Sequence, residues 1–486
     1  MTDRVVAIVL AAGTGSRFGG GKLLASLEGR PLLQHVLDRL AASGLDDVIV
    51  VLGDDAPAVE AAIDWRTEQR VRNPEPTRGL ASSLQIGITA VPEATDAALI
   101  VLGDQPRLPP RAIRALLDAA ADSEAGDGTE AGDGTSRPII VPGYPDDGAR
   151  NPVLLRRPAF LLVAETSGDR GLGPLIDARP ELVREVPIRV AGGNPDVDTR
   201  ADHVRLLEAA WADRVRANAE QVDRFREVPD GADFYAPVSG LFRADPRRTD
   251  EPALDALLRL VRPGETWIDI GAGAGRYALP IALALAPSGG RVIALDASSG
   301  MLDALLELQA EHGVADIEVV ETRWPPADGD LGRFAADVAL IAHVGYDIEA
   351  IGPFVAAMES VAGRLCVAVL MERQPSSIAD VCWPPVHGEP RVALPALPEF
   401  VELLRARGRE PSIERLERAP RRFETREQLE AFLRRQLWLE EGSAADRRFL
   451  AALDDVIVRD SDGRVGLRGQ RPLPIGIVTW TARADS

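Results

Sequence analysis

The chain has 486 residues, more than one hydrophobic core usually organises, and we expect it to form two domains. Hydrophobic residues make up 45% and charged residues 27%, the range of a globular protein that buries a sizeable core. The formal net charge of −20 repels nucleic-acid backbones and argues against a broad phosphate-binding surface.

The first apolar run and the cysteines indicate the cellular compartment. Val5 to Leu10 is too short to span a membrane and leads into a glycine loop rather than a cleavage site, so we expect neither a signal peptide nor an anchor. Cys366 and Cys382 lie in apolar surroundings without His or Cys at metal-ligand spacing, which predicts core packing in a reduced compartment. We therefore expect a cytoplasmic protein that binds neither nucleic acid nor membrane.

Short β-rich runs alternate with helical stretches from Val5 to about Leu207. The runs VVAIVL, DVIVVLG, AALIVLGD and RPIIVPG, with helical stretches such as PLLQHVLDRLAASG, indicate a doubly wound α/β domain with a parallel sheet. A tandem EAGDGT repeat between Asp122 and Ser136 has no apolar residue large enough to anchor a core. We expect a disordered surface loop there.

A glycine-rich segment, LAAGTGSRFGGGK, spans residues 10–22 at the end of the first predicted strand. Its glycines let the backbone approach a phosphate chain, and Arg17 and Lys22 can neutralise the charge of that chain. The segment is not a Walker A loop, because Ser16 stands six residues before Lys22 and Leu23 follows it. The segment is not the dinucleotide-binding fingerprint either, because the third glycine of that fingerprint is missing. We predict a phosphate cradle; the alternative is a flexible turn with solvated charges.

Two later segments of the same domain contain aspartates that could bind a metal ion. Asp104, in LGDQP, ends a predicted strand at the carboxyl edge of the sheet, where ligands of open α/β folds bind. A carboxylate there suits Mg²⁺ bound to a triphosphate. The segment NPDVDTRAD offers Asp198 and Asp196 as a second metal ligand. Each aspartate alone is more often a turn or helix cap, but together with the glycine loop they predict a magnesium site.

The order of these motifs resembles the molybdenum cofactor cytidylyltransferase (MobA-like NTP transferase) family. LAAGxGxRxGxxK is followed by GLASSL, GDQP, RNPVL, GDRG and DVDTRAD, over about residues 3 to 208. The resemblance implies transfer of CMP from CTP to a molybdopterin, with a molybdenum hydroxylase as a further partner. It implies that the nucleotide is bound by Ala11, Gly13, Arg17, Lys22, Gly79 and Ser83. It implies that Asp104 and Asp198 hold Mg²⁺, that Arg17, Lys22 and Asp104 are catalytic, and that the acceptor-side candidates are Arg150, Asn151 and Arg170.

A second alternation follows a charged, helix-like stretch at residues 206–225. The runs TWIDIGAG, RVIALDAS, IEVVETRW, DVALIAHVG and RLCVAVLM predict a second α/β sheet. Helices near residues 397–407 and 426–438 and a closing strand, PIGIVTWTA, complete it. We therefore predict two Rossmann-like three-layer α/β/α domains in tandem, of residues 1–208 and 230–486, joined by a helical linker of residues 209–229.

The strand TWIDI leads into a second glycine loop, which contains Asp269, Gly271, Gly273 and Gly275. Asp296 ends the next strand, 21 residues beyond Gly275, a distance at which a carboxylate can accept both ribose hydroxyls. This spacing predicts a nucleoside-containing cofactor. Because Gly273, Gly275 and Ala278 fit GxGxxA, the glycines alone leave NAD(P) open as a rival.

DIGAGAG with LDASSGML and DVALIAHVGYD resembles the class I S-adenosylmethionine (SAM) dependent methyltransferases, over about residues 230 to 486. The resemblance implies that the glycine loop passes the methionine part of SAM and that Asp296 holds its ribose. It also implies that Met301 lines the adenine pocket and that Arg323 and Trp324 border the adenine; ordinary core packing is the alternative for Met301 and Trp324. An unknown small-molecule methyl acceptor would meet His343, Tyr346 and Asp347, with His343 either a base or structural.

Three alternatives remain open from the sequence. In the first, the C-terminal domain binds SAM without catalysis. In the second, the N-terminal domain is a different nucleotidyltransferase. In the third, the N-terminal domain resembles nicotine blue oxidoreductase, although its intact charged residues favour nucleotidyl transfer. The segment before the second glycine strand, ADFYAPVSGLFRADPRRTD, contains Arg243, Arg247 and Arg248 and either covers the cofactor or wraps the sheet.

Overall fold

The computed structural model describes residues 4–45, 47–125, 137–145, 150–189, 196–229, 239–240, 242–470 and 472–482. The chain forms two compact units, Met1–Leu206 and Leu207–Ser486, and each contains a seven-stranded sheet with helices. The α/β fold class expected for both units is confirmed. Residues 126–136, which include most of the EAGDGT repeat, lie outside the described residues. The described helices lack the combination of length and apolar character that a membrane span requires.

The N-terminal unit begins with the strand that carries the glycine loop. Its strands are β1 (Val5–Ala11), β2 (Ser26–Leu27), β3 (Arg30–Pro31), β4 (Val48–Leu52), β5 (Gln69–Arg72), β6 (Ala97–Leu102), β7 (Ile139–Gly143), β8 (Val153–Arg156) and β9 (Val183–Pro187). Its helices are α1 (Leu32–Ala42), α2 (Ala56–Ala62), α3 (Leu80–Thr89), α4 (Pro110–Ala125) and α5 (Gly173–Ala178), and α6 (Arg200–Phe225) follows. The helix predicted for residues 206–225 is thus confirmed as part of α6.

The strand β1 lies inside the N-terminal sheet, whose order is β5-β4-β1-β6-β8-β7-β9. Successive side chains of a strand point to opposite faces. Ala7 and Val9 accordingly pack into one core with α1 and α4, while Ile8 and Leu10 pack into a second core with α3 and α5. Burial on both faces explains why the strand has a continuous apolar sequence rather than an alternating one.

The parallel sheet expected for the N-terminal unit has one antiparallel strand. β8 runs antiparallel to both of its neighbours, β6 and β7, while the described pairs of β1, β4, β5 and β6 are parallel. The residues of β8 read only VLLR, which is too short a run to show a direction or a periodicity in the sequence.

The C-terminal unit repeats the layered arrangement with different insertions. Its strands are β10 (Thr266–Ile270), β11 (Arg291–Asp296), β12 (Ile317–Glu321), β13 (Ala336–Ala342), β14 (Ala362–Met371), β15 (Ser412–Leu416), β16 (Ile457–Arg459), β17 (Val465–Leu467) and β18 (Ile475–Trp480). Its helices are α7 (Pro252–Leu258), α8 (Ala278–Leu285), α9 (Ser299–His312), α10 (Ile351–Val361), α11 (Trp383–His387), α12 (Leu397–Ala406), α13 (Arg426–Gln436) and α14 (Ala444–Val456).

The order of the C-terminal sheet is β12-β11-β10-β13-β14-β18-β15. Strands β10 to β14 are parallel, and β18 runs antiparallel to both β14 and β15. The carboxyl ends of β10, β11, β13, β14 and β15 therefore share one edge of the sheet. The chain order reverses on either side of β10, and ligands of open α/β sheets bind at such a switch point.

Candidate active sites

The charged residues predicted for the first glycine loop come together at the carboxyl end of β1 and β6. Lys22 begins a short 3-10 helix, Lys22–Leu24, and its ammonium group contacts the Asp104 carboxylate. Its Nζ also lies 3.4 Å from Asp198 Oδ1. A nitrogen of the exposed Arg17 guanidinium lies 2.9 Å from Asp198 Oδ2. Two cations and two carboxylates thus meet where the sequence placed the phosphate and metal sites.

The ionisation of Lys22 follows from this arrangement. Burial on its own would lower the pKa of the Lys22 ammonium, but the Asp104 and Asp198 carboxylates outweigh burial and raise that pKa above its usual value. Lys22 therefore carries its positive charge at neutral pH. A fixed cation at this position is suited to neutralise a phosphate oxygen.

The donor set at this edge fits magnesium. Carboxylate oxygens are hard ligands that suit Mg²⁺, and proteins usually hold this ion with one or two carboxylates while substrate phosphates and water complete its coordination. Asp104 and Asp198 both reach the Lys22 ammonium and so face a common point. Among the residues that the structure describes, no group of three or more His, Cys, Asp or Glu side chains forms a complete metal site. Two protein ligands therefore agree with a metal that arrives with a triphosphate.

Gly79 and Ser83, predicted to lie by the base, border the start of α3. Gly79 has a φ of +91°, and a Cβ built there would lie 2.4 Å from Asp169 Oδ1. Only glycine fits this conformation, and it lets the GLASSL and GDRG motifs touch. The Ser83 hydroxyl accepts a hydrogen bond from Asn73 Nδ2 at 2.9 Å, and the same amide group donates to Ser82.

Asn73 was not predicted. It is buried and directly follows β5, a mostly exposed strand that the sequence did not predict, so no signal pointed to it. A surface pocket of about 360 Å³ lies between the segment after β5 and the face of α3, and it is lined in part by Asn73, Glu75, Arg78, Ser82 and Gln85. Arg17 and Lys22 are not among its lining residues, so this pocket and the charged cluster are distinct features.

The acceptor-side candidates Arg150 and Arg170 converge on one carboxylate. Arg150 donates to Asp177 Oδ1 at 2.7 Å and Arg170 to Asp177 Oδ2 at 3.5 Å. The backbone carbonyl of Asn151 accepts a hydrogen bond from the Tyr144 hydroxyl at 3.1 Å. The structure therefore groups the two arginines, whereas the Asn151 contact involves its backbone only.

In the C-terminal unit the glycine loop follows β10. Asp269 is 2% exposed beneath the loop; burial raises the pKa of its carboxyl group to about 7, and the Asp296 charge adds to this rise. Gly271 has a φ of +79°, and a Cβ there would lie 2.5 Å from Val344 Cγ2. Gly273 has a φ of +54°, and nothing lies within 4 Å of its Cβ position. The loop therefore packs against Val344, just beyond β13, at Gly271 and faces open space at Gly273.

The Asp296 carboxylate lies directly at this loop. It accepts the backbone N–H of Gly273 at 2.8 Å and that of Ser298 at 2.9 Å. The open backbone at Gly273 and the adjacent half-buried carboxylate fit a nucleoside-containing cofactor such as SAM. They do not by themselves separate SAM from NAD(P).

Met301 and Trp324 have packing contacts. Met301 is 4% exposed and packs with Ala274 and Ala304. The Trp324 ring lies edge-on to Phe334, and its Nε1 donates to the Phe354 carbonyl at 3.3 Å. Met301 is therefore a core residue and Trp324 is a partly buried one, and the adenine-side role of both stays a prediction.

His343 and Tyr346 follow β13. The backbone N–H of His343 donates to the Val369 carbonyl at 2.8 Å, and Met371 N–H donates to the Tyr346 hydroxyl at 2.7 Å. The His343 Nδ1 atom is buried and has no hydrogen-bond partner in the described part of the chain. Burial lowers the pKa of His343 to about 4, and the Arg418 and Arg276 charges act in the same direction. His343 is therefore neutral at pH 7.

His343 also adopts a left-handed backbone conformation, with a φ of +59°. Asparagine tolerates this region, whereas a β-branched side chain is strongly disfavoured there. We expect His343→Val to lower the free energy of unfolding by about 1–2 kcal/mol more than His343→Asn does. Urea unfolding followed by tryptophan fluorescence measures the difference. Equal losses in the two variants would show that the imidazole contacts, rather than the backbone conformation, determine stability here.

The described residues 242–250 before the second glycine strand contact the loop and α9. Arg243 pairs with Glu307 and Glu311, and Arg247 donates to the carbonyl of His312. These contacts fasten the segment along α9. Residues 232–238 and 241 of the predicted cofactor-covering segment lie outside the described residues.

Glu251 is a residue that the sequence reasoning missed. Its carboxylate accepts from Arg248 Nε at 2.6 Å, from Arg276 at 2.8 Å and from the Tyr277 hydroxyl at 2.9 Å. Arg276 and Tyr277 belong to the glycine loop, so Glu251 anchors this loop from a helix N-terminus. No pattern in the sequence pointed to a contact between these distant segments.

Comparison with known proteins bears on the N-terminal unit. Residues 7–183 match the protein-family model described as the MobA-like NTP transferase domain. The N-terminal unit contains a MobA-like NTP transferase domain. The chain is 36% identical to the bifunctional protein GlmU of Sorangium cellulosum over 129 residues, which are 24% of this chain and 27% of that relative. The chain therefore spans about a quarter of the length of such relatives.

Two further comparisons cover the length of this MobA-like domain. Nicotine blue oxidoreductase of Paenarthrobacter nicotinovorans is 28% identical over 207 residues, which are 42% of this chain and 96% of that protein. The crystal structure of Rv0371c from Mycobacterium tuberculosis H37Rv shares 30% identity, covers 43% of this chain and 100% of its own, and has a TM-score of 0.36.

The solved structures similar to this chain also include a methyltransferase. Precorrin-6y C5,15-methyltransferase from Geobacter metallireducens GS-15 covers 49% of this chain and 91% of its own chain, with 12% identity and a TM-score of 0.29.

Proposed function

We propose that the N-terminal unit is a Mg²⁺-dependent nucleotidyltransferase that transfers CMP from CTP to a molybdopterin. The observation that carries this proposal is the meeting of Lys22 and Arg17 with Asp104 and Asp198 at the carboxyl edge of the sheet. The MobA-like domain supports the reaction class. The order of the LAAG, GLASSL and GDQP motifs supports the cytidylyl branch and the molybdopterin acceptor.

In this reaction a phosphate of the acceptor attacks the α-phosphorus of CTP in line, and pyrophosphate leaves. When bound by Asp104 and Asp198, Mg²⁺ supplies charge neutralisation at the triphosphate. Lys22 and Arg17 hold the phosphate oxygens and stabilise the negative charge that builds up on them. Arg150 and Arg170, which share the Asp177 carboxylate, are the residues that would bind the acceptor phosphate. Because the protein forms no covalent bond, positioning and charge account for catalysis.

Nucleotide preference tests the cytidylyl assignment. We expect CTP with Mg²⁺ to bind about 5- to 150-fold more tightly than GTP or ATP, because a mismatched base leaves buried hydrogen-bonding groups unpaired, at a cost of about 1–3 kcal/mol. Isothermal titration of the full chain with each nucleotide measures this, and titration in EDTA gives the contribution of the metal. Tighter binding of GTP than of CTP would exclude a cytidylyltransferase.

We propose for the C-terminal unit a SAM-dependent methyltransferase that acts on a small molecule. The contact between Asp296 and the Gly273 backbone, beside an open stretch of loop, supports it. A non-catalytic SAM-binding domain is the second candidate, favoured by His343, the candidate base, because burial lowers its pKa to about 4 and makes it a weak proton acceptor. Formation of S-adenosylhomocysteine from SAM in the presence of cell extract separates the two candidates.

The relationship to nicotine blue oxidoreductase leaves redox chemistry as a rival for the N-terminal unit. The Lys22, Asp104 and Asp198 cluster favours a triphosphate over a redox cofactor, because it pairs a cation with two magnesium ligands. We place both reactions in the cytoplasm, with a molybdenum hydroxylase as the eventual recipient of the nucleotide product and with neither nucleic acid nor membrane as a partner.

A further inference from the structure

The glycine turn that follows β1 is closed by its own backbone. The Gly15 carbonyl accepts the N–H groups of Phe18, Gly19 and Gly20 at 3.0–3.1 Å. Nothing lies within 4 Å of the Cβ positions of Gly20 and Gly21, so the backbone is open to a ligand there. Because three N–H groups are used within the turn, neighbouring side-chain cations must supply much of the charge that holds a phosphate here.

Arg200, the first residue of α6, lies against this turn. A Cβ built on Gly19 would lie 3.7 Å from the Arg200 Nη2 atom. The Phe18 ring is buried, and its centroid lies 5.5 Å from the Arg200 guanidinium carbon and 5.8 Å from the centroid of the His203 ring. A cation is attracted to the face of an aromatic ring. The buried ring therefore keeps the guanidinium group beside the glycine backbone.

The backbone just before Arg200 is fixed by Asp202. The Asp202 carboxylate accepts the N–H groups of Asp198 at 3.1 Å and of Thr199 at 2.6 Å. Asp198 is the carboxylate that faces the two cations of the predicted metal site. One short segment therefore brings a carboxylate to the metal site and a cation to the glycine turn.

Lys22 and Arg200 border the same turn. The Lys22 Cβ atom lies 3.3 Å from the Cβ position of Gly15, whose carbonyl closes the turn. Gly19, which donates to that carbonyl, is the glycine that lies beside Arg200. Lys22 pairs with Asp104 on the side of the predicted metal. The two cations can therefore contact different phosphates of one ligand on this turn.

The carboxylates nearest to Arg200 in the sequence have other partners. These pairs are Asp196 with the Gln105 amide, Asp198 with Arg17 and Lys22, and Asp202 with Arg205. Lys22 and Arg17 are thus balanced by carboxylates before a nucleotide binds. A triphosphate brings several negative charges to the site. In the part of the chain that the structure describes, no carboxylate pairs with Arg200, so its charge is available to these phosphates.

We propose that Arg200 is a third phosphate-binding cation of this site and that it binds the two terminal phosphates of the nucleotide, which leave as pyrophosphate. An arginine suits this task because its planar fork binds two phosphate oxygens at once. When the bond between the α-phosphorus and its bridging oxygen breaks, the electron pair stays on that oxygen, and Arg200 stabilises the charge of the departing pyrophosphate. Lys22 serves the α-phosphate beside the metal carboxylates. This assignment rests on the proposed nucleotidyltransferase function.

Three ligands that share parts of the triphosphate test the proposal on the full chain. Isothermal titration in Mg²⁺ measures the binding of CTP and inorganic pyrophosphate, and saturation-transfer NMR measures that of CMP. In Arg200→Gln we expect CTP and pyrophosphate to bind at least about tenfold more weakly, because a charged contact with phosphate is lost. CMP should bind as it does to the unsubstituted protein. Arg200→Lys restores the charge and should recover part of the lost affinity.

Arg70→Gln is the matched control. Arg70 is likewise exposed and lies over an aromatic ring of the same unit, with its guanidinium carbon 5.3 Å from the Trp65 ring centroid. Its substitution removes the same charge and the same kind of ring contact away from the glycine turn. The Arg70→Gln protein should bind all three ligands like the unsubstituted protein, and circular dichroism establishes that each variant remains folded.

Unchanged CTP affinity in Arg200→Gln, or no recovery in Arg200→Lys, would overturn the proposal. A loss of CMP affinity as large as that of CTP would also overturn it, because the arginine would then only shape the loop through Phe18. CTP binding that does not depend on Arg200 rejects this assignment alone and leaves the proposed function intact. Pyrophosphate binding that depends on Arg200, without CTP binding, would retain the phosphate site and reject nucleotidyl transfer. Binding of neither ligand would reject both.

Discussion

Asp104→Asn is expected to reduce the rate of pyrophosphate release from CTP at least about 1,000-fold. The asparagine keeps the shape of the side chain but removes the negative charge that faces Lys22 and that would bind Mg²⁺. Without that carboxylate Mg²⁺ is held less firmly, so the triphosphate is less well neutralised. The negative charge that builds up on the departing pyrophosphate is then not stabilised. A coupled pyrophosphate assay at saturating CTP, Mg²⁺ and molybdopterin measures the loss.

Asp118→Asn provides the matched control, because Asp118 is an exposed carboxylate on α4 of the same unit. It should retain the unsubstituted rate. Circular dichroism of both variants establishes that they remain folded. If Asp104→Asn retains activity within about tenfold, equivalent to roughly 1.4 kcal/mol, the metal is held by other residues and the proposed site is wrong.

Asp296→Ala is expected to weaken SAM binding roughly ten- to a hundredfold. The substitution removes the charged acceptor for two ribose hydroxyls, and a hydrogen bond to a charged group is worth about 1.5–3 kcal/mol. It also takes away the acceptor of the Gly273 and Ser298 N–H groups, so the glycine loop loses a fixed contact. Isothermal titration with SAM measures the change in affinity.

The same protein should turn over CTP at the unsubstituted rate, because Asp104 and Asp296 belong to separate compact units. Asp303→Asn, at an exposed position on α9, controls for the loss of a carboxylate near the loop. Unchanged SAM affinity in Asp296→Ala would contradict the cofactor assignment. A parallel loss of CTP turnover would contradict the independence of the two reactions.

The sequence predicted the elements whose burial leaves a clear periodicity. The strand β1 is buried on both faces and appears as a continuous apolar run, and β10, β11 and β13 follow the same rule. The edge strand β15, SIERL, escaped prediction because its charged residues lie in solvent and its apolar residues are only partly buried. Helix α14 was also missed, although Ser443 caps its first turn.

The site residues likewise divide into those that the sequence predicted and those that it missed. Lys22, Asp104 and Asp198 were predictable because each belongs to a local motif, and the fold brings the motifs to one edge. Glu251 was not, because its contacts with Arg276 and Tyr277 join segments about 25 residues apart without a shared pattern. Contacts of this kind depend on three-dimensional packing, which a single sequence does not display.

The two edges of the C-terminal sheet affect how the protein behaves at high concentration. The outer strands β12 and β15 are short, and both carry charged residues, among them Glu318 and Glu414. Glu318 lies 3.7 Å from an Arg291 nitrogen, and Glu414 lies 2.6 Å from an Arg259 nitrogen. A strand from another chain would have to desolvate these charges before it could extend the sheet. Aggregation by edge-to-edge strand pairing is therefore disfavoured at both ends of this sheet.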